Sequence, residues 1–233
     1  MRVLLCAEGV SDFGAREFNS RRLDHDDREG WLQPLIRRTA ALADMEFARR
    51  RRGELLSLGG VGRRPRLPGH AEKAFIAARI AAREGFDAVM FMADADSPVP
   101  SVWRTKHAQI LDGFRKAGVR IASLACVPKS MAESWLLADG GAWHALGLPD
   151  RVPLPRDPEN LWGPKRDPHG DHPKALFARL CTEAGCAPDR GTHNALAERI
   201  DLEVLAKACA LSYGAFAADL RRGLAVTPPA AND

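Results

Sequence analysis

Val89-Met90-Phe91-Met92-Ala93-Asp94-Ala95-Asp96-Ser97 is an apolar run that ends abruptly in two carboxylates. A short continuous apolar run with polar flanks reads as a strand buried on both faces, as in a parallel sheet covered by helices. Ligands of such sheets bind beyond the carboxyl ends of the strands. Residues at i and i+2 of a strand point the same way, so Asp94 and Asp96 are expected to converge on a hard cation such as Mg²⁺. The competing reading is a loop of turn formers that leads into a helix.

Working outward, residues 2–7 read as another buried strand, which stops at Glu8-Gly9-Val10-Ser11-Asp12-Phe13-Gly14, a second acidic cluster after a strand. Leu32, Leu35, Ile36, Ala40 and Ala43 follow helical spacing, with Pro34 in the first turn, and Met45–Arg49 reads as an edge strand. Helices are expected over 71–83, stopped by Gly85, and over 103–116, ended by Gly118, with a further strand at 119–127. This alternation implies an α/β fold with a largely parallel central sheet flanked by helices. Two acidic strand ends in such a sheet face one edge.

Beyond the last strand, Ser130 and Glu133 have capping-box spacing, so Glu133 either closes a helix start or is left to bind a ligand. Six prolines between 149 and 171 mark an ordered excursion anchored by Leu161 and Trp162. A helix opens at His172-Pro173-Lys174, and helical patterns run to Leu220. The expected division is a catalytic domain at 1–148, an excursion with a helical C-terminal extension at 149–226, and a disordered tail at 227–233. The polar segment 19–28 reads as an exposed loop, and the histidines, mostly in polar segments, read as surface residues.

The 233 residues carry a net charge of +4, which permits a polyanionic partner. Arg49, Arg50, Arg51 and Arg52 form a run, followed by Arg63, Arg64 and Arg66 in a Gly- and Pro-rich segment; these are candidate phosphate contacts or a solvated face. Five scattered cysteines, an N-terminus without a signal-peptide core and the lack of a membrane-spanning window lead to an expected cytoplasmic location. No nucleophile elbow points to serine or cysteine hydrolysis.

The pairing of Ala7-Glu8-Gly9-Val10-Ser11-Asp12 after one strand with Asp94-Ala95-Asp96 after a later one resembles the Toprim domain over residues 1–140. Toprim is the metal-binding module of topoisomerases, bacterial primases and the overcoming-lysogenization-defect nucleases. Glu133-Ser134-Trp135-Leu136-Leu137-Ala138-Asp139, Pro158-Glu159-Asn160-Leu161-Trp162-Gly163 and His172-Pro173-Lys174 are similar to signatures of an uncharacterised bacterial Toprim-like family. Members of that family often accompany ATPases in mobile or phage-defence loci. The chain departs from primases in lacking a glycine soon after Asp96, so primer synthesis and strand passage are not implied.

The resemblance implies a Toprim-like fold and a Mg²⁺- or Mn²⁺-dependent nuclease that hydrolyses phosphodiesters of DNA or RNA. In that reading Glu8 is a metal ligand or general acid/base, Asp12 an additional acidic ligand, and Asp94 and Asp96 the metal-holding pair. Glu133 and Asp139 are candidates for a second metal, while Lys174 and Lys129 are candidates to neutralise phosphate. Such carboxylates repel one another, and a divalent cation relieves that repulsion while presenting a Lewis acid. The alternatives are a non-catalytic Toprim-like subunit of an ATPase complex and phosphoryl transfer on a small nucleotide.

Overall fold

The computed structural model describes residues 1–14, 29–57 and 65–225. Four strands, β1 (Arg2–Ala7), β2 (Glu46–Arg51), β3 (Ala88–Met92) and β4 (Ala122–Cys126), form a sheet of order β2-β1-β3-β4. Every pairing is parallel. The chain is therefore α/β, as its alternation predicts. All of β3 is buried, and β1 is buried after Arg2, because both central strands are covered on both faces.

Side-chain alternation sends the strands' apolar residues into two cores. Leu4, Cys6, Val89, Phe91 and Ala125 pack on α3 (Gly69–Arg83) and α4 (Pro100–Ala117). Val3, Leu5, Met90, Met92 and Leu124 face the opposite layer, built on α2 (Leu32–Ala40) and the chain beyond β4. That layer adds α5 (Glu133–Leu136), α6 (Gly140–His144), α7 (Pro173–Glu183), α8 (Arg190–Arg199), α9 (Leu202–Ala208) and α10 (Ala215–Ala225). One core thus runs from Val3 through Trp135 and Phe177 to Leu220, across the sequence boundary at 148/149.

Where α3 crosses α4, the helices approach so closely that a Cβ added at Gly113 would lie 2.1 Å from the Ala71 carbonyl oxygen. Only glycine permits that approach. Gly113→Ala is expected to lower stability by about 1–3 kcal/mol, the usual cost of overpacking, read from the midpoint of chemical denaturation. An unchanged midpoint would show that the helices separate freely.

The arginine run is not a loop. Arg49, Arg50 and Arg51 extend the edge strand β2, so alternate side chains leave on opposite faces. Arg49 is buried and donates to the Phe13 carbonyl at 2.8 Å, while Arg50 lies 3.8 Å from the Glu84 carboxylate. The helical extension is also broken, since α9 gives way to a π turn at Ala210–Gly214. Buried Glu159, on the short 3₁₀ turn Pro158–Asn160, braces that turn: it accepts from the Leu211 and Ser212 amides and the Ser212 hydroxyl. The excursion is thereby tied to the C-terminal helices. Among the described residues, no helix is long and apolar enough to cross a membrane. The segments holding residues 19–28 and the tail at 227–233 lie outside the described residues.

Candidate active site

The strand order reverses between β1 and β3, because the chain leaves β1 toward β2 and returns to β3 on the other side. A crevice at the carboxyl ends of strands at such a reversal is where open α/β sheets bind ligands. A cleft of about 740 Å³ opens there, lined among others by Glu8, Asp12, Asp94, Asp96 and Glu133.

Asp12 stands on the short helix α1 (Val10–Phe13). Its carboxylate accepts from the Gly9 amide at 3.1 Å and from the Trp31 indole at 3.3 Å. Gly30 allows this fit, since a Cβ there would lie 2.4 Å from the Asp12 carbonyl. Burial raises the Asp12 pKa, and Glu133 adds to the shift, against the two hydrogen bonds and Lys174.

Asp94 is more strongly perturbed. Burial drives its carboxyl well above the usual range, reinforced by Glu133, Asp12 and Asp96. One of its oxygens, Oδ1, is buried and has no hydrogen-bond partner among the described residues. Glu133 Oε2 is in the same condition, while Glu133 Oε1 lies 3.6 Å from Lys174 Nζ. The capping box is not formed: no side chain caps α5, and Ser130 Oγ makes no hydrogen bond among the described residues. Glu133 is therefore left to face the cleft.

Asp94 and Asp96 do not converge as strand neighbours. β3 ends at Met92, and Asp96 adopts a left-handed conformation with φ of 55°, which breaks the two-residue alternation. The amides of Ala93 and Ala95 continue onto the Cys126 and Pro128 carbonyls, so the segment remains anchored to the exit of β4. The Asp96 side chain is half-exposed and lies 3.5 Å from Lys106, which also donates to the Asp94 carbonyl. Glu8 is exposed and ion-paired with Arg52. These cations shape the rim: burial, then Lys106, Arg52 and Lys73, lowers the His70 pKa to about 4.

Other expected residues stand elsewhere. Asp139 does not line the cleft: one oxygen caps α6 by accepting from the Gly141 amide, and the other accepts from Asp201, both at 2.8 Å. Lys129 is buried and donates to the Asn160 side chain. Arg49 and Arg50 are buried in the fold, Arg51 and Arg66 are exposed, and Arg63 and Arg64 lie outside the described residues. Lys174 does line the cleft, beside Lys165, Trp162 and His172. His172 is 1% exposed rather than on the surface.

Among the described residues, no three His, Cys, Asp or Glu side chains stand together as a preformed metal cage. The donor chemistry nonetheless fits a hard divalent cation. Asp94 and Glu133 each bring a buried oxygen without a partner among the described residues, Glu133 acts electrostatically on Asp12, and both Glu133 and Asp12 act on Asp94. Compared with protein-family models, curated proteins and solved structures, the chain matches none.

Proposed function

We propose that this chain is a Toprim-like nuclease that hydrolyses phosphodiesters of DNA or RNA with Mg²⁺ or Mn²⁺. The observation that carries the proposal is the pair of buried oxygens, one of Asp94 and one of Glu133, that have no hydrogen-bond partner among the described residues at the sheet's reversal point. A buried carboxylate oxygen without a partner costs stability, and a bound cation would compensate that cost. Asp94, Glu133 and Asp12 would hold the cation, with Glu8 and Asp96 at the rim. When bound, the cation supplies a Lewis acid for the phosphoryl oxygen and a more acidic water. Lys174 holds Glu133 in place and, with Lys165 and Arg52, brings positive charge to a polyanion entering an acidic cleft. An ATPase partner and a role in phage defence belong to the proposal through the family resemblance alone.

The test is incubation of the purified chain with plasmid, single-stranded DNA and transfer RNA in Mg²⁺, Mn²⁺ or chelator. Metal-dependent cutting of at least one substrate is expected. Metal binding by calorimetry without cutting would make the chain a non-catalytic binding subunit, and neither result would end the metal reading altogether.

A further inference from the structure

The excursion delivers to the cleft two side chains that cation binding does not use. Trp162 is 44% exposed, whereas each of the other four tryptophans is 6% exposed or less. Its indole is held at the cleft, close to His172, with ring centroids 6.1 Å apart. Gly163 makes that approach possible, because a Cβ there would lie 3.1 Å from the His172 amide nitrogen.

His172 caps α7: its Nδ1 accepts from the Lys174 amide at 3.3 Å. A neutral imidazole whose Nδ1 accepts must carry its proton on Nε2. Burial, then Lys165 and Lys174, lowers the His172 pKa against the opposing pull of Glu133 and Asp96, which favours the neutral ring. Nε2 is buried and without a partner among the described residues. The wall of the cleft therefore holds an N–H donor for which the described residues supply no acceptor, with Lys165 and Lys174 on the same lining and an exposed aromatic face beside it. A phosphate oxygen satisfies the donor, and a flat heterocycle satisfies the face.

Resting on the nuclease reading, we propose that Trp162 and His172 form a subsite for one unpaired nucleotide of a DNA or RNA strand. Its base stacks on Trp162, and its phosphate accepts from His172 Nε2 with Lys165 and Lys174 alongside. The bases of a duplex are stacked on one another and cannot offer a face, so the subsite selects single strands or frayed ends.

The experiment is a tryptophan-fluorescence titration of the full chain in Mg²⁺. The probes are deoxy and ribo single strands with phosphorothioate linkages, which resist cutting, and the matching blunt duplex. Either single strand should quench, and the duplex should quench far less. By anisotropy of a labelled strand, Trp162→Ala should weaken binding about 5- to 150-fold, the range for one stacked base, while Trp162→Phe should keep most of the affinity. His172→Asn leaves an acceptor for the Lys174 amide and removes the ring donor, so affinity should fall about tenfold. On an abasic strand His172→Asn should still weaken binding, whereas Trp162→Ala should not.

Parental affinity in Trp162→Ala, equal quenching by duplex and single strand, or no binding by the parent would each overturn the subsite. A parent that is quenched and bound as expected but cuts nothing would retain the subsite and lose the nuclease reading.

Discussion

Asp94→Asn is expected to reduce metal-dependent cutting by more than about 100-fold, since replacing even the residues behind a metal ligand costs about 10- to 100-fold. In chelator the same substitution should stabilise the protein at neutral pH, because it removes a buried negative charge that Glu133, Asp12 and Asp96 repel. The pH dependence has a definite sign. The folded-state pKa of Asp94 is raised, so its ionisation disfavours the fold. That penalty is absent below the ordinary carboxylate range and grows as pH rises from there through the folded value. The gain from Asp94→Asn should therefore vanish in acid and increase toward neutrality. Saturating Mg²⁺ should narrow or reverse the difference, because only the parent retains full cation affinity. A variant less stable than the parent in chelator at neutral pH would mean that the buried oxygen is satisfied.

Trp135→Ala should cost about 3–5 kcal/mol, the range for deleting a buried aromatic side chain. Trp135 is fully buried, with Trp31 edge-on at 6.4 Å, Tyr213 edge-on at 5.2 Å and Phe216 stacked at 5.8 Å. Its indole donates to Ser212 at 2.9 Å, which joins α5 to the π turn braced by Glu159. Trp31, in contact with it, holds Asp12. The variant should therefore lose stability in urea and also bind Mn²⁺ more weakly. A loss below about 1 kcal/mol would show that the neighbours close the cavity.

The sheet was legible because both central strands are unbroken apolar runs, and parallel pairing then places Glu8 and Asp94 at one edge. The divergence of Asp96 from Asp94 was not legible, since the two-residue rule holds only within a strand and β3 stops at Met92. Glu133 was ambiguous because capping-box spacing is a local pattern, whereas its actual surroundings depend on Lys174, 41 positions later in the chain. His172 was hidden for a similar reason. The residues before it are polar and mostly exposed, and its burial follows from its place at the start of α7, beside the excursion at the cleft. Asp139 and Lys129 were acidic and basic groups in promising places that the fold uses for backbone amides and Asn160.

The arginines of β2 also affect how the molecule behaves in company. An outermost strand offers a row of backbone groups to any passing chain, and edge charge is a common means of discouraging such strand addition. Here three consecutive arginines occupy the end of that strand, Arg49 and Arg50 bent back into the protein and Arg51 exposed. Another copy approaching edge to edge would have to set its own Arg51 against this charge. Among the described residues, Arg51 is thus the member of the run that sets an exposed charge at the end of the outermost strand.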